Sequence, residues 1–373
     1  MGISALVVDD SVLYRKTIAR KLQGIPEIGE VRQASNGKEA LRLFKEKPAD
    51  LVTLDIEMPL MTGLEALPQI LEHSPQTKVL MISSLTVRGA EQTMKALSLG
   101  ATDYVTKEQA FGLTTTQADV LEESLEGKLK GLLQGIVGIA KGSEIVKEKS
   151  GLGGVESLPS RPAAKPLAVS GRNLSKVPVS LMLIGSSTGG PQTLQEVLGN
   201  MKKMRNYATV IVQHMPPLFT AQLAANLKRV TGHKCFEASE GVELGPGDIA
   251  IAKGGQHLKL EKNGKNWICH LDDGEPINSC RPSVDVTFFS VAEQLNTPEV
   301  VAMMLTGMGG DGAEGMRRLH QKRVPIINQE ASSCVVYGMP KAVDDLGITD
   351  VRAKPLFIVN EAEKFMTRPQ VIG

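Results

Sequence analysis

Five short apolar runs, each leading into a helical repeat or a charged turn, constrain the first 107 residues more than any other feature. They are Ile3–Val8, Glu30–Ala34, Leu51–Leu54, Lys78–Ile82 and Asp103–Thr106. Near-continuous aliphatic runs suit parallel strands buried on both faces. Between them, Leu13, Ile18 and Leu22 recur at helical spacing, and Glu39–Phe44 and Glu91–Leu99 read as further helices. Strands and helices alternating at this spacing predict an α/β fold, a doubly wound parallel sheet.

The strand ends carry the chemistry. Asp9 and Asp10 follow the first run, Asp55 the third, Ser83 closes the fourth and Lys107 follows the fifth. In such a sheet the strand C-termini converge on one edge, where ligands bind. Three carboxylates gathered there repel one another unless a divalent cation sits between them, and hard oxygen ligands suit Mg²⁺. A carboxylate beside Mg²⁺ and an ammonium group can accept a phosphoryl group, because both cations offset the developing charge. The Ser83 hydroxyl can then bond the new phosphoryl oxygens. For any one residue a helix cap is the plainer reading; for the whole set it is not. These residues resemble the response-regulator receiver domain, and the resemblance covers residues 1–107. It implies that Asp55 is the phospho-acceptor, that Asp9, Asp10 and Asp55 hold Mg²⁺, that Ser83 and Lys107 form the switch pair, and that Tyr104 is the switch aromatic. One departure stands out: Glu108 follows Lys107 where the family usually has proline.

Residues 111–178 read as a connection. Leu121, Leu125, Leu129, Leu132, Ile136 and Ala140 recur at helical spacing, so a weak amphipathic helix is expected over 120–140. Gly127, Gly131 and Gly135 fall at every fourth position of it, each costing about 1 kcal/mol relative to alanine. Residues 150–178, rich in Gly, Ser, Pro and basic residues, read as a linker, either a passive tether or a leash that raises effective concentration.

The second half is organised around Ile184–Pro191, Ile-Gly-Ser-Ser-Thr-Gly-Gly-Pro. An apolar run precedes it and a helical pattern follows, and Gly185, Ser187 and Gly189 fit the G-x-S-x-G spacing of a nucleophile elbow. Alone the match is weak, since glycine-serine turns also serve as N-caps and phosphate cradles. Of six histidines, His214 directly follows the strand pattern Ala208–Gln213 and precedes Pro216-Pro217, which puts it at a strand end as Ser187 is. Asp311 sits in the glycine-dense turn Thr306–Gly312 after the run Val300–Leu305. It is either a helix N-cap or the acid that orients His214, and the glycines let backbone N–H groups face an anion. The order Ser, His, Asp differs from that of α/β-hydrolases, which selects the fold without vetoing the chemistry.

Five motifs in order carry a second resemblance: Ile184–Gly190, Gln213–Pro216, Arg281–Asp285, Leu305–Gly312 and Val335–Pro340. Together they resemble the chemotaxis protein-glutamate methylesterase family (CheB) over about 179–355. The resemblance implies Ser187 as nucleophile, His214 as base, Asp311 as its orienting acid, the Met308 N–H in the oxyanion hole, and Thr188 and Arg281 in the cleft. Lys253 stands where that family more often has proline. Expected, then, are two doubly wound parallel-sheet domains joined by a linker: a receiver at 1–110, a helix and linker at 111–178, and a catalytic domain at 179–373. The implied reactions are hydrolysis of glutamyl methyl esters and deamidation of glutamines on methyl-accepting chemoreceptors. They would need no cofactor beyond Mg²⁺ for phosphorylation by a chemotaxis histidine kinase. A signalling adaptor without hydrolysis, and a serine hydrolase acting on some other ester or amide, are the rival readings.

Composition excludes other classes. With 42 basic and 41 acidic side chains, the charge gives no case for nucleic acid or an anionic membrane. Cys235, Cys269, Cys280 and Cys334 show no C-x-x-C spacing, so neither a disulfide framework nor a zinc site is expected. The N-terminus has no signal-peptide pattern and no stretch approaches the ~20 apolar residues of a membrane span, so membrane insertion is not expected and a cytoplasmic location is.

Overall fold

The structure, a computed structural model, describes residues 2–111, 125–148, 167–168, 178–202 and 205–366, with side chains left undescribed at 111, 137–148 and 167–168. Leu121 and nearly all of the expected linker lie outside the described residues.

The first sheet contains β1 (Ile3–Val8), β2 (Ile28–Ala34), β3 (Leu51–Asp55), β4 (Lys78–Ser83) and β5 (Asp103–Thr106), all parallel, in the order β2-β1-β3-β4-β5. Helices α1 (Val12–Gln23), α2 (Gly37–Glu46), α3 (Gly63–His73) and α4 (Val87–Ser98) connect them. Each helix starts where the sequence supplies an acceptor. Ser11, Asn36, Thr62 and Thr86 take the N–H of Tyr14, Glu39, Glu65 and Gly89, and Thr62 with Glu65 forms a reciprocal capping box. Register fixes the working edge: Val8 lies beside Leu54, Asp55 beside Ile82, and Ser83 beside Thr106. Asp9, Asp55, Ser83 and Lys107 therefore leave the sheet together. With Glu108 in place of proline, a short α5 (Lys107–Phe111) begins at once.

A longer helix, α6 (Leu125–Glu148), lies over the same sheet. Its Leu125, Leu129, Leu132 and Leu133 are buried in one cluster with Ala5, Val7, Ile18, Leu22, Leu51 and Leu80. Burying each leucine is worth roughly 1.5–3 kcal/mol, so one face of the connection's helix is bound into the first core. Lys128 completes the attachment: Nζ donates to the Tyr104 carbonyl (2.7 Å), lies 3.2 Å from Asp103 Oδ2, and sits 4.7 Å from the Tyr104 ring centroid.

The second half has strands β6 (Leu167–Ala168), β7 (Leu181–Ser186), β8 (Ala208–Gln213), β9 (Lys234–Glu237), β10 (Glu243–Leu244), β11 (Asp248–Ile251), β12 (His257–Asn263), β13 (Asn266–Asp272), β14 (Val300–Met304), β15 (Ile326–Gln329) and β16 (Val351–Ala353). Eight of them form one sheet, β6-β16-β15-β14-β7-β8-β11-β9, parallel except where β6 meets β16. Helices α7 (Gly190–Gly199), α8 (Phe219–Thr231), α9 (Val284–Gln294), α10 (Ala313–Gln321), α11 (Met339–Asp345) and α12 (Pro355–Glu363) accompany them. A separate antiparallel sheet, β10-β13-β12, goes beyond the expected parallel architecture. Its signal is Leu258 and Leu260 buried in alternation with exposed Lys259 and Glu261, the pattern of a sheet with one wet face.

The halves touch through β5, α4 and α6. The Tyr104 ring stacks on Phe219 of α8, with centroids 4.8 Å apart and planes within 5°. Gln192 of α7 donates to the carbonyls of Leu97 and Ala101, and Ser98 lies within hydrogen-bonding distance of Gln195 and Asn226. The glycine row of α6 now has a purpose. A Cβ on Gly131 would lie 3.2 Å from Val336 Cγ2 and 3.3 Å from Met308 Sδ, and one on Gly135 only 2.8 Å from the Val335 carbonyl. The helix lies flat against the turns at 308 and 335–336 because those side chains are missing.

Candidate active site

Ser187 directly follows β7, and His214 directly follows β8. Ser186 pairs with Gln213 across these strands, so Ser187 and His214 leave the sheet side by side. The turn needs its glycine: Gly189 has φ 76°, and a Cβ there would lie 2.5 Å from Val335 Cγ2. The two adjacent serines divide. Ser186 is fully buried and its hydroxyl donates to Gln213 Oε1 (2.7 Å), whereas Ser187 is half-buried. Gln213 Nε2 then donates to the carbonyls of Ser187 (2.9 Å) and His214 (3.1 Å), tying both turns together.

Asp311 lies at the far end of the turn leaving β14, fully buried. His214 Nε2–H donates to its Oδ2 at 2.8 Å. The carboxylate also accepts from Val284 N (2.6 Å), Ser283 Oγ (2.7 Å), Asn278 Nδ2 (3.0 Å) and Asp285 N (3.3 Å). The N-cap alternative resolves in an unexpected way. Asp311 does not cap its own helix, whose N-cap is Gly312 with no side-chain bond. It instead accepts from the first N–H groups of α9, where the helix dipole favours a negative charge. Burial pushes the Asp311 pKa up, but His214, Asn278 and Ser283 outweigh it and hold the carboxyl at about 2. Neighbouring Asp285 is pushed up to about 6 by burial and by Asp311.

An ionised Asp311 accepts only, so it fixes the proton on His214 Nε2 and leaves the Nδ1 lone pair free to act. Cys280 Sγ lies 3.5 Å from that Nδ1. Among the described residues no hydrogen bond joins Ser187 Oγ to His214. Burial opposes a charged imidazole here, yet Cys280 and Asp311 outweigh it, and the His214 pKa is raised well above its ordinary value. With His214 as the proposed base, which must be neutral to work, activity is expected to rise with pH through a midpoint above ~6.5, the ordinary imidazole value. Cys280→Ser is expected to move that midpoint down. A kcat/KM–pH profile of both proteins checks this, and an unmoved acid limb contradicts it.

The turn 305–309 closes over Ser187. Ser187 N–H donates to the Thr306 carbonyl (3.0 Å), and a Cβ on Gly307 would lie 2.9 Å from Ser187 Cβ. The Met308 N–H makes no hydrogen bond among the described residues. Thr188 is buried, its carbonyl accepting from Thr306 Oγ1 (3.0 Å). Arg281 is half-buried and donates to the Asp273 and Gly274 carbonyls (3.2 and 3.0 Å). Sequence reasoning gave no role to Asn278 or Cys280, and Ser283 entered only as part of the motif Arg281–Asp285; the fold adds that Asn278 and Ser283 hold Asp311.

At the other sheet edge, Lys107 Nζ lies 2.9 Å from Asp55 Oδ2 and 4.0 Å from Asp9 Oδ2. Oxygens of Asp9, Asp10 and Asp55 all lie within 4.8 Å of one another. Asp9 Oδ2 is buried with no hydrogen-bond partner, an orphan that a cation would satisfy. Burial pushes Asp55 up to about 6, Lys107 pulling against it and Asp9 and Asp10 adding to it, so the cluster fits a hard divalent ion. Ser83 lines the same cleft, but its hydroxyl donates to the Gly89 carbonyl (3.1 Å) and accepts from Thr93 Oγ1 (2.8 Å).

Residues 182–361 match the family model described as CheB methylesterase, and residues 5–116 that of the response regulator receiver domain. A protein-glutamate methylesterase/protein-glutamine glutaminase of Desulfotalea psychrophila is 37% identical over 351 residues, covering 94% of each chain. The chain belongs to the CheB methylesterase family. A CheB relative of the same name from Nocardioides sp. is 38% identical over 357 residues, covering 95% of this chain and 93% of that one. The crystal structure of the Thermotoga maritima CheB methylesterase catalytic domain aligns at 36% identity with a TM-score of 0.49, covering 51% of this chain and all of that one. By the family models and the curated relatives, the chain is a hydrolase with a receiver domain, and its two main sheets make two α/β units. No helix among its described residues is long and apolar enough to cross a membrane.

Proposed function

We propose that this protein demethylates glutamyl methyl esters, and deamidates glutamines, on methyl-accepting chemoreceptors, under the control of phosphorylation at Asp55. The observation that carries the reading is the 2.8 Å bond from His214 Nε2 to buried Asp311, with Ser187 beside His214 by strand register. In this reading Ser187 turns its hydroxyl to His214 Nδ1, gives up its proton and attacks the ester carbonyl. The Met308 N–H meets the oxyanion. His214 returns the proton to departing methanol, and a water activated by the same Nδ1 releases the glutamate. Asp311 keeps the tautomer and balances the transient imidazolium. Thr188 and Arg281 shape the cleft by holding its turns.

Control rests on the first half. Asp9, Asp10 and Asp55 would hold Mg²⁺, which offsets charge on the incoming phosphoryl group; Lys107 and Ser83 would bind its oxygens. A chemotaxis histidine kinase is the phospho-donor. Tyr104, stacked on Phe219, links that event to the contact between the halves, a two-state element biased by one charge change. The units are residues 1–110 with the helix that covers their sheet, a linker, and 179–373. The protein would work in the cytoplasm. Methanol release from methylated receptor membranes tests the reading directly, and a small phospho-donor should raise the rate. Absence of methanol with and without the donor would refute it.

A further inference from the structure

We infer that Cys280 and His214 form an inhibitory binding site for a soft divalent cation, with Zn²⁺ the best fit. The inference rests on the reading of His214 as the base and adds a way of disabling it. Cys280 Sγ and His214 Nδ1 lie 3.5 Å apart. Tetrahedral zinc, with bonds of about 2.3 Å to sulfur and 2.0–2.1 Å to nitrogen, separates two such ligands by about 3.5 Å. The thiol and the imidazole therefore already stand at ligand spacing, and no backbone movement is required.

The surroundings match a metal site in two further ways. Metal-bound histidines characteristically donate their other ring N–H to a carboxylate, which fixes the tautomer and raises ligand basicity. His214 does this with Asp311 at 2.8 Å, so the lone pair aimed at Cys280 is the one a metal would take. Charge also balances. Zn²⁺ displaces the thiol proton to solvent and forms the S–Zn bond, with no change of oxidation state. The dication then faces one thiolate and the ionised Asp311, which leaves the buried cluster neutral. Ligand atoms of His214, Cys280 and Asp311 lie within 4.8 Å of one another, all three residues buried. Ser187 adjoins His214 in the strand register, so a cation held by this pair would sit beside the nucleophile. Paired-cysteine spacing gave no hint of zinc because the ligands come from segments 66 residues apart.

With Nδ1 bound to metal, the Ser187 proton has no acceptor and hydrolysis stops. The test uses the full chain with Co²⁺ and Zn²⁺ as probes. Co²⁺ bound to the native chain, and equally to Ser187→Ala, should show the near-ultraviolet charge-transfer band of a cobalt thiolate, bleached by Zn²⁺. Asp55→Asn, which weakens the receiver's own cation site, should leave that band intact. Cys280→Ser should lack it. Zn²⁺ should lower methanol release by the native chain at least tenfold, reversibly with a chelator. It should not lower that of Cys280→Ser relative to that variant's own metal-free rate. Equal zinc inhibition of Cys280→Ser, or no thiolate band from the native chain, overturns the inference. If the methylesterase reading is what fails, methanol is absent even without metal while the cobalt band persists.

Discussion

Asp311→Asn is expected to lower kcat for ester hydrolysis about 10⁴-fold, the scale of losing the correct histidine tautomer in a serine triad. Two carboxylate oxygens here accept from His214, Val284, Ser283, Asn278 and Asp285. Asparagine offers one oxygen and an NH₂ group that must face a donor. If the NH₂ faces His214, the imidazole moves its proton to Nδ1 and ceases to be a base toward Ser187. If the oxygen faces His214 instead, it keeps the Val284 N–H, but the NH₂ meets the donors of Ser283, Asn278 and Asp285 and the segment shifts. Either way the charge that balances the imidazolium is gone. A buried donor left unpaired costs about 1–3 kcal/mol, so the melting temperature should fall as well. Methanol-release kinetics of the folded variant check the expectation, and a rate within tenfold of the native one would show that Asp311 does not orient the base.

Asp55→Asn is expected to abolish stimulation by a phospho-donor while leaving the unstimulated rate intact. The variant cannot form an acyl phosphate, yet it keeps size and shape beside Lys107. The pH dependence follows from the raised carboxyl. Without a cation, Asp55 has its pKa at about 6, so it is protonated and unreactive below that and becomes a nucleophile as pH rises through it. The same shift means that burial of Asp55 costs stability progressively as pH rises from ~4 to its folded value. Mg²⁺ held by the three carboxylates would reverse both tendencies by favouring the ionised form. Rates measured with and without donor, at pH 7 with Mg²⁺, decide the matter; a stimulated Asp55→Asn would mean that phosphorylation acts elsewhere.

The site was legible in sequence to the extent that strand ends made it so. Parallel strands deliver their C-terminal residues to one edge, so Asp9, Asp55, Ser83, Lys107, Ser187 and His214 could be placed by pattern alone. Asp311 was harder, because a long turn separates it from β14 and its bonds run to α9. Asn278 and Cys280 lay beyond reach, and the motif Arg281–Asp285 marked the segment of Ser283 without its role, since these roles depend on tertiary proximity and no local periodicity records them. The helix expected at 120–140 was read correctly as apolar on one face, with Leu125, Leu129 and Leu132 buried as the spacing required. Its destination was not, because periodicity marks a face and says nothing of what covers it. Gly131 and Gly135, read as a cost, prove to be clearance for Met308, Val335 and Val336. The antiparallel sheet was missed although its alternation was present in Leu258–Glu261.

Because α6 is at once the lid of the first core and the neighbour of the turns at 308 and 335–336, the two halves of this protein are not separable cassettes. A fragment ending at residue 111 would bare the aliphatic surface that Leu125, Leu129, Leu132 and Leu133 cover. A borrowed receiver whose helix carried side chains at the places of Gly131 and Gly135 would lose the clearance they give. A working chimaera would have to be joined beyond residue 148, and inheritance of the glycine row, more than similarity of the phosphorylation site, would govern which receivers can be exchanged.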